Sequence, residues 1–195
     1  DFLPPQISPI LPTFLNALWF HNQNIEYSPM IPAIATMLLM YMEPPLAYLS
    51  IQAIINKSRE SLFYVLLNKK QLFAAIDSVE KLIVSRLPNV ANHATKLGIN
   101  LSQLILSIFP SFFIPFVSYP VSLTFFDSFV SEGRKVFFRF LLQILSDEKN
   151  NLIGTVDENE FDRIIFNAID RLNDPIIMKS FIKKAFKIKL KRKKI

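Results

Sequence analysis

Prolines punctuate this chain where helices should begin. Ser8-Pro9, Ser28-Pro29, Pro44-Pro45, Pro88, Tyr119-Pro120 and Asp174-Pro175 each lead into an apolar stretch of helical period. Proline suits the first turn of a helix, where its missing N–H costs nothing, and a preceding serine or aspartate can accept a hydrogen bond from a free N–H. Thirteen prolines stand against only three glycines. A hairpin-rich β protein needs more glycine in its turns. The predicted fold class is therefore all-α, a compact array of about eleven helices without a strand.

Periodicity fills in the helices. Leu11, Leu15 and Leu18 predict the inward face of the first, and Ile31, Ile34, Leu38 and Met42 that of the second. A third runs from Pro44 through Leu49 and Ile54. Asn68 is placed to cap a helix reaching about Arg86, with Leu72, Ile76, Val79 and Ile83 on one side. Pro88 starts a short helix that Gly98 stops. Asn100 is placed to cap the next, which Pro110 ends. Tyr119-Pro120 leads into a helix ending near Gly133, followed by another over about 134–146. Asp157 with Glu160 forms a capping-box pattern for a helix to about Leu172, and Asp174-Pro175 opens the last. Residues 147–156 form the one loop of substance. The expected organisation is a single helical domain over 1–195.

The 22 basic and 16 acidic residues are unevenly placed. Residues 179–195 hold nine Lys/Arg and no acid, while the rest has a net charge of −3. Such a basic C-terminal segment seeks phosphate, on a membrane or on nucleic acid. No signal peptide is expected, since the first basic residue is Lys57. Residues 97–126 carry no formal charge and are long enough to span a bilayer. Pro110, Pro115 and Pro120 interrupt them, so buried core helices are expected instead.

Familiar catalytic arrangements are missing. Without cysteine there is no disulfide, thiolate metal site or cysteine nucleophile. His21 and His93 stand alone. Asp157, Glu158 and Glu160 sit at a helix start, where capping and the dipole explain them. Residues 147–158 imitate a calcium loop, but Lys149 at the third place repels a cation and Leu152 replaces the glycine of the sharp turn. Three scattered glycines form no phosphate-cradling loop. No metal and no cofactor are expected. The informative residues are basic. Lys135 and Arg139, four apart, share a helix face, with Arg134 beside them. The run from Lys187 to Lys194 is polybasic. Few aromatics interleave within it, so base stacking and nucleic-acid binding are not expected.

Residues 122–139, Ser-Leu-Thr-Phe-Phe-Asp-Ser-Phe-Val-Ser-Glu-Gly-Arg-Lys-Val-Phe-Phe-Arg, resemble a landmark of TBC domains, the all-helical GTPase-activating domains for Rab proteins. The family pattern is roughly W-D-x-F-x-x-E-G-x-K-V-L-F-R. Asp127, Phe129, Glu132, Gly133, Lys135, Val136, Phe138 and Arg139 match it, and Phe126 replaces the tryptophan. TBC activators use an arginine in I-x-x-D-x-x-R and a glutamine in Y-x-Q-G. The second site aligns with Tyr27-Ser28-Pro29, so Pro29 stands where the glutamine should be. No match to the arginine motif lies within the chain. Proline cannot orient water, and an arginine finger is worth about 10³–10⁵ in rate. The resemblance therefore implies no catalytic residue here, and a degenerate motif at Tyr27, Ser28 and Pro29.

The Skywalker-like branch of the family, whose TBC domain is commonly followed by a TLDc domain, has the same departure. It ends in a pattern like K-A-F-x-I-R-L, similar to Lys184-Ala-Phe-Lys-Ile-Lys-Leu190. In that branch a cationic pocket binds phosphoinositide headgroups. The resemblance maps its residues onto Lys135, Arg139 and Lys189, with Arg134 and Lys187 as auxiliaries. It implies the C-terminal two-thirds of a non-catalytic TBC domain in vesicle trafficking. The expected partners are a phosphoinositide-containing membrane surface and a Rab or Arf small GTPase. The expected location is cytoplasmic and peripheral, on a vesicle or the plasma membrane. The alternative is a Rab GTPase activator whose arginine finger lies upstream.

Overall fold

In the computed structural model, which describes residues 5–61, 64–109, 111 and 113–190, helix boundaries follow local caps wherever asparagine or aspartate stands in extended backbone. Eleven α-helices are described: α1 (Leu11–His21), α2 (Met30–Leu39), α3 (Pro44–Ser61), α4 (Lys69–Arg86), α5 (Pro88–Lys96), α6 (Leu101–Ile108), α7 (Tyr119–Glu132), α8 (Lys135–Asp147), α9 (Lys149–Ile153), α10 (Glu158–Asp170) and α11 (Pro175–Lys187). Two 3-10 turns, Ile114–Phe116 and Arg171–Asn173, complete the set, and no strand occurs among the described residues.

Asn68 accepts from the Gln71 N–H at 2.9 Å, Asn100 from Gln103 at 3.1 Å and Asp157 from Glu160 at 2.8 Å. Asp174 accepts from both Ile176 and Ile177. Each satisfies a helix-start donor that would otherwise lack a partner. In the capping box of α10, Glu160 returns its carboxylate to the N–H of Val156 at 3.1 Å rather than to that of Asp157.

Several expectations are corrected. Ser8 and Ser28 do not cap helices. α1 begins three residues after Ser8 with Pro12 in its first turn, and Pro29 itself holds the cap position of α2 in helical conformation. The Ser28 hydroxyl is buried with no hydrogen-bond partner among the described residues. Met42, placed on the inward face of the second helix, lies past the end of α2 and is exposed. Residues 147–156 are not a loop but contain α9, because burial of Leu152 against the core continues the helical path beyond α8. The Pro110 stop lies outside the described residues; α6 ends at Ile108.

Residues 97–126 break into α6, a 3-10 turn and the start of α7. Among the described residues no helix is long and apolar enough to cross a membrane. Their apolar side chains instead join one buried cluster that runs from Ile7 to Leu190. Phenylalanine dominates its middle. Phe125 and Phe140 join α7 to α8 at 4.7 Å between ring centroids, Phe129 stacks on Phe137 at 5.6 Å, and Phe140 meets Phe181 of α11 at 5.5 Å. Phe113 shows how strongly this centre pulls. Its backbone is left-handed, with φ 61°, which costs an L-residue roughly 1–2 kcal/mol. Full burial of a phenyl ring returns roughly 1.5–3 kcal/mol, and Phe113 is buried 5.2 Å from Phe125. The aromatic centre fixes α8 between α7 and α11, and so sets where the basic residues of α8 emerge.

Candidate functional site

The site begins at a glycine. Gly133 ends α7 with φ 71° and ψ −166°, a region essentially closed to residues with a Cβ. The chain turns there and α8 starts, so Arg134 and Lys135 sit at a helix N-terminus, where backbone donors favour anions. Lys135 is half-buried. Burial pushes the Arg134 guanidinium below its usual pKa by desolvation, and its Nη1 is enclosed with no hydrogen-bond partner among the described residues.

Arg139 lies one turn further along the same face and is already engaged. Its side chain is only 11% exposed and stands 3.2 Å from the carboxylate of Glu132, through Nε. Neither atom of that pair meets hydrogen-bond geometry, so the contact is Coulombic rather than directional. Its Nη1 donates to the carbonyl of Phe186 at 2.8 Å, and its guanidinium covers the Phe186 ring at 5.6 Å. Arg139 thus ties α8 to the end of α11. Lys187 and Lys189 follow Phe186 and are exposed. A second tie holds that end: Arg86, last residue of α4, donates through Nη2 to the Lys189 carbonyl at 2.6 Å.

Of the five expected phosphate-binding residues, the structure therefore brings Arg134, Lys135 and Arg139 to one corner. It anchors the backbone that carries Lys187 and Lys189 to that corner through Arg139. The rest of the basic run, 191–195, lies outside the described residues. Sequence reasoning missed Arg86, Glu132 and Phe186 as parts of the site. Arg86 acts across 103 residues, and no local pattern signals such a contact.

The Tyr27-Ser28-Pro29 segment lies elsewhere, between α1 and α2. The N–H groups of Glu26 and Tyr27 reach the Leu67 carbonyl at 3.0 and 3.3 Å. Arg59 of α3 holds the preceding turn by donating to Asn22 at 2.8 Å and Asn24 at 2.7 Å. Lys69 lies over the Tyr27 ring at 5.8 Å. Beside this segment is an open apolar hollow lined by Leu15, Trp19, Ile31 and Ile55. Pro29 offers no side-chain donor or acceptor there. The two histidines serve structure: His21 meets the Ala17 carbonyl at 3.1 Å, and His93 meets Thr155 at 3.0 Å.

The profile of the Rab-GTPase-TBC domain matches residues 3–153 of this sequence. The chain belongs to the TBC family. The match covers α1 to α9 and stops before α10 and α11. Solved TBC domains share the fold. The flagellar RabGAP TBC domain of Chlamydomonas superposes with a TM-score of 0.73 at 19% identity, over 94% of this chain and 60% of that one. The Skywalker TBC domain of Drosophila melanogaster, solved in complex with inositol(1,4,5)triphosphate, gives 0.74 at 20% identity, over 93% of this chain and 65% of that one. The chain thus spans under two-thirds of each solved domain. In this TBC domain the family's Glu-Gly-x-Lys sequence has a structural sense. Gly133 makes the turn, and Glu132 is positioned to meet Arg139 across it.

Proposed function

We propose that this TBC domain is a non-catalytic trafficking module that binds phosphoinositide membranes through the corner between α8 and the end of α11. The observation that carries this reading is the Arg134 guanidinium, desolvated and with an unpartnered nitrogen, beside Lys135 at the start of α8. A partly desolvated cation gains from an anionic partner, and a phosphate would supply one to the guanidinium through charge-assisted hydrogen bonds. The inositol phosphate bound to the Drosophila neighbour supports the same chemistry. Lys135 and Lys189 supply the remaining charge, with Lys187 as auxiliary. Arg139 shapes the corner more than it contacts ligand. Pro29 in place of glutamine supports the absence of catalysis. The module acts at the cytoplasmic surface of a vesicle or the plasma membrane.

The test is co-sedimentation with liposomes, with and without phosphoinositides, at low and moderate salt. The variant is Lys135→Glu/Lys189→Glu, which spares the structural contacts of Arg139. Phosphoinositide-dependent binding that weakens with salt and disappears in the folded variant is expected. Unchanged binding by the variant would refute this site.

A second reading concerns a Rab or Arf small GTPase. The apolar hollow beside Tyr27, with exposed Trp19 and Phe20 nearby, favours docking of such a protein. Turnover assays across a Rab panel discriminate: acceleration would revive the Rab activator, with its arginine finger upstream, and binding without acceleration would support the docking role.

A further inference from the structure

Helix α11 has two opposed faces. Met178, Phe181 and Ala185 are buried in the core. At about 100° per residue, Ile176, Lys179, Ser180, Lys183 and Lys187 fall within about 60° of the opposite direction. All five are exposed, and α11 contains no acidic residue. Among the described residues Lys179, Lys183 and Lys187 have no acidic partner. Lys184, at the side of this face, pairs with Asp147 at 3.1 Å. The neighbouring Asp174 is occupied in capping the helix.

A row of lysines alone would be a solvated face. Ile176 does not fit that description. It is 81% exposed, with Ile177 beside it at 42%. Near them the cleft between α7 and α11 has an apolar floor of Pro120, Val121, Met178 and Ile182, with Lys179 and Lys183 also lining it. Lysines whose stems flank an exposed aliphatic tip have the chemistry of a helix lying in a bilayer interface. The residues also argue against a protein partner. Protein hot spots favour tryptophan, tyrosine and arginine seated in pockets; the outer face of α11 carries none of its own, and Arg171, which borders Ile176 and Ile177, is tied to Glu148. Lysine is a hydrated point charge that suits diffuse negative charge rather than one bidentate acceptor.

We propose that α11 is the membrane-facing helix of this domain. Its outer face lies on an anionic bilayer, with Ile176 entering the interface at one end and Lys179 and Lys183 over the headgroups between. Lys187 stands at the other end, eleven residues and about 16 Å away, next to the phosphate-binding corner. Two separated contacts fix the orientation of the domain, which a single headgroup site would leave free to pivot. Only the phosphate-corner end rests on the reading given above; the Ile176 end stands on its own.

The test places the only tryptophan at the tip. Trp19 is exposed and the chain has no other, so the full chain carrying Trp19→Phe and Ile176→Trp reports from position 176 alone. It is mixed with phosphatidylcholine vesicles containing lipids brominated in the acyl chain, with or without phosphatidylserine and with or without a phosphoinositide. Blue-shifted, quenched emission with phosphatidylserine and none with phosphatidylcholine is expected. Adding Lys179→Gln/Lys183→Gln should weaken binding roughly thirty-fold, since each lysine near such a surface contributes about a factor of five. Adding Lys135→Glu/Lys189→Glu should abolish any phosphoinositide preference yet leave quenching at position 176, which separates failure of the headgroup site from failure of this face. Vesicle binding without quenching, no vesicle binding, or equally tight binding to soluble polyglutamate would each overturn the proposal. Circular dichroism confirms that every variant is folded.

Discussion

Replacing Arg139 by methionine tests whether this residue is a clamp or a ligand-binding group. Methionine keeps most of the aliphatic stem and removes the charge. Three interactions disappear. The charged hydrogen bond to the Phe186 carbonyl contributes roughly 1.5–3 kcal/mol. The contact with the Phe186 ring adds roughly 0.5–1 kcal/mol. Glu132 is left without its cation. Breaking a fully buried pair costs roughly 3–5 kcal/mol, but Glu132 is 27% exposed and water screens part of that loss. These effects overlap, and a net destabilisation of about 2–4 kcal/mol is expected, a large share of the roughly 5–15 kcal/mol that holds a domain together. Urea denaturation followed by circular dichroism measures it. A double-mutant cycle with Glu132→Gln should recover about 1 kcal/mol, because the second change removes the stranded carboxylate. If Arg139→Met unfolds within 0.5 kcal/mol of the parent while liposome binding is lost, Arg139 is a ligand-binding residue and the clamp argument is wrong.

Gly133→Ala should destabilise the fold by roughly 1–3 kcal/mol, since φ 71° with ψ −166° excludes a Cβ; chemical denaturation would show it, and a neutral result would mean that the turn relaxes freely. Arg134→Met should raise stability by about 1 kcal/mol by removing a desolvated cation with an unpartnered nitrogen. Soluble inositol trisphosphate should then raise the melting temperature of the parent more than that of this variant. Asp162 is held above its ordinary carboxylate pKa of 3.8, first by desolvation and then by Glu158. Its ionised form is therefore disfavoured in the folded chain, and the penalty fades as pH falls toward 3.8. Asp162→Asn should stabilise the protein at pH 7 and lose that advantage as pH falls toward 3.8; denaturation at several pH values checks the slope.

What was legible in the sequence was local. Asn68, Asn100, Asp157 and Asp174 each act on donors two or three residues away, and the order of helices follows from such signals. Where serine preceded proline the same reasoning failed, because a proline held in helical conformation at Pro29 took the cap position itself. The short α9 was hidden because its polar residues read as a turn, whereas in the fold its Leu152 is buried and the helix packs against α5, α8 and α10. The basic corner was legible in part. Spacing puts Lys135 and Arg139 on one face, but it cannot tell which cation is free. That depends on α8 packing against α11 through Phe140 and Phe181, which brings the Phe186 carbonyl to Arg139, and on the turn at Gly133, which sets Glu132 beside it; Nη1 of Arg134 is enclosed with no acceptor among the described residues. Charge is written in the sequence, whereas its availability is a property of the packing. The same distinction applies to α11, where Lys184 is paired and Lys179, Lys183 and Lys187 have no acidic partner among the described residues. A ligand or a membrane acts on the cations that the fold leaves without partners, so substitutions chosen by charge alone mix structural and binding effects, and substitutions chosen by partner separate them.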